Sequence, residues 1–159
     1  MKLLAYEVDK RSFLGIFNED ETWVYPISAA GMEYRSMKDL IREAGPSEME
    51  MLDYISKKAP GDVTGAAPVE EIKIVSPIPE PDQDIICLGI NYMDHAAESA
   101  RFQKEEFARP EKAIYFSKRV NRTNDPDGII PAHKNLTNQL DYEAELAVII
   151  KKDAKDVKP

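Results

Sequence analysis

The stretch Leu140-Asp141-Tyr142-Glu143-Ala144-Glu145-Leu146-Ala147-Val148-Ile149-Ile150 alternates with a period of two. On a strand, its even positions from Leu140 to Ile150 share one apolar face, while Asp141, Glu143 and Glu145 point to the other. Residues i and i+2 of a strand stand roughly 6.5–7 Å apart at the backbone. Three like charges in that row repel unless water, a basic group or a cation offsets them. Two readings stay open on this segment alone: a half-exposed strand with an acidic solvent side, or carboxylates gathered for a hard divalent ion. Ala147-Val148-Ile149-Ile150 is apolar on both faces, which asks for covering layers on both sides. From Asp153 to Pro159 no further core-forming segment follows, and proline suits the first turn of a helix. The expectation is therefore a chain cut where another element would begin, with a natural tail as the alternative.

The rest of the composition fits a globular protein. The 159 residues are 43% hydrophobic and 31% charged, with no apolar run long enough for a membrane span. Acidic residues appear too early after Met1 for a secretory leader, so a cytoplasmic location is expected. The net charge of -8 argues against a nucleic-acid or anionic-membrane partner and leaves acids free for cations. The single cysteine, Cys87, lies in the apolar run Ile85-Ile86-Cys87-Leu88 and is read as a packing residue.

Toward the N-terminus, residues 2–8, 12–17 and 22–27 read as a small β-meander, with turns at Asp9-Lys10-Arg11 and Asn18-Glu19-Asp20. Ser36 is placed to cap a helix over 37–44 with Gly45 as its stop. Ser47 and Glu50 have the spacing of a capping box for a second helix, whose apolar stripe would be Met51, Leu52 and Ile55. A short strand at 72–75 leads into Ser76-Pro77-Ile78-Pro79-Glu80-Pro81-Asp82, where backbone donors are scarce. The expected organisation is a small α+β domain over 1–75, a proline-rich connector over 76–82, and a second region over 83–159. That region opens with a buried strand at 84–89, followed by a turn into a short helix over 91–100, a charged loop over 101–112, a strand at 113–117 and a turn at 124–128.

His95 and Glu98 stand three apart, a spacing that puts both on one face of a helix, where a carboxylate orients an imidazole and raises its basicity. Such a pair suits a general base; a solvated surface pair has the same spacing.

In combination, these segments resemble the fumarylacetoacetate hydrolase family. The resemblance is carried by the Pro-Ile-Pro-x-Pro connector at 77–81, by Ile86-Cys87-Leu88-Gly89-Ile90-Asn91-Tyr92-Met93-Asp94-His95-Ala96-Ala97-Glu98 and by Tyr115-Phe116-Ser117-Lys118-Arg119. It continues through Gly128-Ile129-Ile130-Pro131-Ala132-His133 and Asp141 to Ile149, in the family's order from about residue 72 onward. The first 70 or so residues match only loosely, as the family's variable small domain.

The resemblance implies an α+β protein in which a small N-terminal β-meander and helix domain precedes an incomplete mixed β-sandwich roll. It implies a homodimeric, Mg²⁺- or Mn²⁺-dependent enzyme acting on a 2-oxo acid or 1,3-dicarbonyl compound, by C–C hydrolysis, isomerisation or decarboxylation through a metal-stabilised enolate. Glu143 and Glu145 match the family's strand carboxylates that bind the metal, and His95 and Glu98 match its general-base dyad. The loop at 99–112 would be a lid, with Tyr92, Lys118, Arg119 and His133 as substrate contacts. Some members carry a carboxylate ligand where this chain has Asn91, and the family's third ligand, an aspartate on a later strand, would lie beyond Pro159. The alternative is a non-catalytic module that needs a partner chain to complete its sheet and metal site.

Overall fold

The computed structural model describes residues 1–89, 92 and 112–158. Two compact units are present, one formed by Met1–Ile78 with Asn124–Pro159 and the other by Pro79–Thr123.

In the first unit, strands β1 (Leu3–Val8), β2 (Arg11–Phe17) and β3 (Trp23–Pro26) form the antiparallel meander. Two short strands complete the sheet, β4 (Ala67–Pro68) on β3 and β5 (Lys73–Val75) on β1, giving the order β4-β3-β2-β1-β5. The β1–β2 hairpin closes through Asp9 and Lys10, both at positive φ, which gives the twist a two-residue hairpin favours.

Register turns the period-two pattern into two apolar faces. Leu3 pairs with Ile16 and Ile16 with Tyr25, and this row packs against the helices with Leu40, Leu52 and Ile55. On the other face Leu4, Tyr6 and Val24 form a smaller cluster with Phe17, Val69, Ile72 and Ile74. Gly15 lies where an added Cβ would stand 2.8 Å from both Tyr6 Cε1 and Val24 Cγ1, so its lack of a side chain permits the close packing there. The fully buried Tyr25 donates its hydroxyl to the Lys58 carbonyl at 2.8 Å, tying the sheet to the chain just past the second helix.

Helix α1 (Met37–Glu43) is capped by Ser36 Oγ, which accepts from the Asp39 amide at 3.1 Å. The second helix, α2 (Pro46–Ser56), starts earlier than the Ser47/Glu50 spacing suggests. Pro46 occupies its first turn, and Glu48 Oε2 accepts from the Gly45 amide at 2.7 Å, so Glu48 supplies the returning carboxylate expected of Glu50. The same Glu48 accepts the Tyr34 hydroxyl at 2.5 Å. These two bonds, with the Lys151 charge, hold the Glu48 carboxyl below its ordinary range, and its hydrogen bond raises the Tyr34 phenol to about 12. Met51 falls outside the apolar stripe: it is exposed, while Leu52 and Ile55 are buried and Met49 packs beside them.

In the second unit, strands β6 (Ile85–Gly89) and β7 (Ile114–Lys118) form an antiparallel two-stranded ribbon. Cys87 is buried, as expected of a packing residue, but Ile85, Ile86, Leu88, Ile114, Tyr115 and Phe116 are exposed. The strand expected to be buried is thus uncovered, because the two-stranded ribbon lacks a covering layer among the described residues.

The acidic segment 140–150 is not a strand. Its residues are exposed and join no ladder with a described strand; alternation selects a strand's faces, but only a hydrogen-bonded neighbour makes the strand. Among the described residues past 83 the strands are β6 and β7 alone, a two-stranded sheet within an α+β chain. No helix among the described residues is long and apolar enough to cross a membrane.

Candidate functional site

The residues singled out by sequence fall in different surroundings. Lys118 is the last residue of β7, with its ammonium 5.8 Å from the centre of the Phe116 ring two residues earlier on the same face. Arg119 follows it, and both are exposed, as is Tyr92.

In the other unit, His133 adopts a positive φ of 43°, and its carbonyl accepts from the Leu136 and Thr137 amides at 2.7 and 3.1 Å. That turn fixes the backbone of His133 and leaves its side chain exposed. Asp141, Glu143 and Glu145 are exposed as well, and Asp141 Oδ1 accepts from the Tyr142 amide at 2.8 Å. This bond gives Asp141 a local backbone partner. His95, Glu98, Asn91 and the loop at 99–112 lie outside the described residues.

As a donor set, Glu143 and Glu145 offer hard oxygens of the kind Mg²⁺ takes, so they fit part of such a shell. They do not complete it: among the described residues no group of three or more His, Cys, Asp or Glu stands together as a metal cage would require. A pocket of about 240 Å³, unanticipated from sequence, is lined by Ser28, Ile55, Lys58, Asp62 and Thr64 among others. The Lys58 ammonium lies 4.9 Å from the Tyr54 ring centre, which gives it a local role on the helix surface.

Comparison with known proteins gives these positions a context. Residues 84–159 match the family profile described as fumarylacetoacetate (FAA) hydrolase C-terminal. Over 162 residues the chain is 40% identical to oxaloacetate tautomerase YisK of Bacillus subtilis, an alignment covering 96% of this chain and 52% of that protein. It is 43% identical over 91 residues to the fumarylacetoacetate hydrolase domain-containing protein 2 homolog of Dictyostelium discoideum, covering 57% of this chain and 27% of that one. An uncharacterised protein of Staphylococcus epidermidis is 27% identical over 167 residues, covering 99% of this chain and 53% of its own length. The chain thus spans about half the length, or less, of these curated relatives. The profile match includes the ribbon, the His95/Glu98 segment and the acidic segment, and the chain belongs to the fumarylacetoacetate hydrolase family.

Proposed function

We propose that this chain is the N-terminal portion of a divalent-metal-dependent enzyme that interconverts the keto and enol forms of a 2-oxo dicarboxylate. The observation that carries the reading is the 40% identity to an oxaloacetate tautomerase across 96% of this chain, including the positions the sequence marks for acid–base work. Tautomerisation is the isomerisation within the set that the family resemblance implies. C–C hydrolysis and decarboxylation of related 2-oxo acids share its enol-forming chemistry.

In this reading His95, oriented by Glu98, takes the proton from the carbon next to the 2-oxo group and returns one to the oxygen side. Lys118, Arg119 and His133 bind the substrate carboxylates, with Tyr92 beside them. Glu143 and Glu145 would hold Mg²⁺ or Mn²⁺, which when bound supplies Lewis acidity toward the carbonyl and its neighbouring carboxylate. The remaining donor comes from chain beyond this portion, and a β-sandwich roll assembled there covers the ribbon and the acidic segment. The location is cytoplasmic and the complete protein is a homodimer.

The test uses the complete protein with Mg²⁺, oxaloacetate presented as its enol, and a panel of acylpyruvates. His95→Ala and Glu143→Ala are each expected to lower turnover by about a hundredfold or more. If both variants retain turnover within about tenfold of the parent, the site assignment is wrong. Turnover of acylpyruvates in preference to the enol would replace tautomerisation by C–C hydrolysis.

A second reading is favoured by the exposure of Ile129, Tyr142 and Leu146: a non-catalytic module whose apolar segment is covered by a partner chain. Calorimetry on the 159-residue chain discriminates, because a tight Mg²⁺ site in the isolated chain counts against this reading.

A further inference from the structure

Residues 79–123 leave the first unit after Ile78 and re-enter it at Asn124, and side chains on either side of that excursion tie its ends together. The Ser76 amide donates to Asp125 Oδ1 at 2.9 Å, and Lys73 Nζ donates to Oδ2 of the same carboxylate at 3.3 Å. Lys73 also lies 3.6 Å from Glu7 Oε2 on the neighbouring strand. Within the second unit, the Thr123 amide donates to the Pro79 carbonyl at 2.9 Å, and Arg122 lies 3.8 Å from Glu80.

The sequence explains why Asp125 is needed there. Strand β5 ends at Val75, and the chain then runs through Pro77, Pro79 and Pro81, which have no amide hydrogen. Ser76 is 7% exposed, so its amide requires an acceptor inside the protein, and the Asp125 carboxylate provides one. Asp125 is itself held in a turn. Pro126 takes the second position, Asp127 has a φ of 60°, and the Gly128 amide donates to the Asp125 carbonyl at 3.0 Å. Asn124 Nδ2 reaches the Ile129 carbonyl at 3.3 Å, so close to Gly128 that a Cβ there would meet Asn124 Oδ1 at 2.2 Å.

We propose that Asp125 is the clasp of a neck: its carboxylate closes the chain on itself at Ser76, so that residues 79–123 depart from and return to one fixed point. Closing so long a loop costs chain entropy, which an exposed ion pair by itself offsets poorly. The neck combines the Lys73 pair with a charge-assisted bond to a buried amide and with the Thr123–Pro79 bond just beyond it. Positions 95 and 98 lie within the excursion, so the clasp also fixes the roots of the segment carrying the acid–base pair. That consequence rests on the function proposed above; the clasp does not.

Amide exchange followed by NMR on the 159-residue chain tests the neck without any activity measurement. Asp125→Ala is expected to speed exchange at both Ser76 and Thr123 by about tenfold or more, with Tyr6 and Leu52 unchanged. Asp125→Asn, which keeps an oxygen for Ser76, is expected to preserve more protection at both amides than Asp125→Ala. If Asp125→Ala exposes Ser76 and leaves Thr123 protected, Asp125 is a local cap of β5 and the neck is overturned. Should that variant unprotect Tyr6 and Leu52 as well, the decision passes to the parent chain in low denaturant. There, a common denaturant dependence at Ser76 and Thr123, distinct from that of Tyr6, supports the neck, and separate dependences overturn it.

Discussion

Tyr25, Ile16, Leu40, Leu52 and Val24 in the N-terminal sheet and helices are at most 1% exposed, whereas Ile129, Tyr142 and Leu146 are 84–90% exposed. Both regions are rich in apolar residues set at regular intervals, so hydrophobicity and period do not separate them. The difference is local completeness. Residues 1–78 contain every layer their sheet needs: neighbours for β1 to β3, two helices over the Ile16/Tyr25 face, and the Val69 to Ile74 segment near the other. Residues 129–150 have the pattern of a sheet-forming segment without a ladder partner among the described residues.

The strongest way to break this contrast is to delete equivalent side chains on its two sides. Leu52→Ala is expected to destabilise the chain by about 2–5 kcal/mol in urea unfolding, through lost burial and the cavity left behind. Leu146→Ala is expected to stay within about 0.5 kcal/mol in the same chain. Comparable losses at the two positions would show that the C-terminal segment is packed in solution.

A smaller effect probes how tightly the sheet is filled. Gly15→Ala places a methyl against Tyr6, Val24 and the Tyr25 carbonyl, at an expected cost of about 1–3 kcal/mol, read as a lowered urea midpoint with unchanged slope. A stabilising Gly15→Ala would mean that the sheet has room that the static packing does not show.

The smallest effect concerns the helix junction and depends on pH. Glu48 has its carboxyl lowered by the Gly45 amide, the Tyr34 hydroxyl and Lys151. Its stabilising contribution is therefore present above the unfolded carboxyl pKa and is lost as pH falls through the lower folded value. Denaturant midpoints of Glu48→Gln are expected below those of the parent at neutral pH and to converge with them in acid. A gap that persists after full protonation would assign the loss to packing instead of charge. Tyr34 acts at the other end of the scale: its raised phenol pKa means that its contribution is present below the unfolded value and fades as pH rises through about 12.

The meander was legible because period-two runs were punctuated by turn residues, and its partners lie within a short stretch of chain. The start of α2 is not legible from spacing, because Ser47 and Glu50 have the spacing of a capping box while Pro46 and Glu48 provide the first turn and the carboxylate that are used. Segment 140–150 shows the limit of periodicity: Leu140 to Ile150 specify two faces but contain no information about which strand lies alongside. For the site, the family and the order of its segments were legible from the chemistry-bearing residues. Of the proposed metal site only Glu143 and Glu145 could be picked out, and among the described residues no group of three or more His, Cys, Asp or Glu stands together.

The chain contains one tryptophan and one cysteine, and they fall in different compact units. Trp23 sits in β3 beside the main core, and Cys87 sits in the middle of β6, across from Phe116. Indole emission therefore reports on the meander, and thiol labelling reports on the ribbon. The native molecule already carries an optical probe on the meander and a chemical probe on the ribbon, so each element can be followed by its own signal without an engineered label.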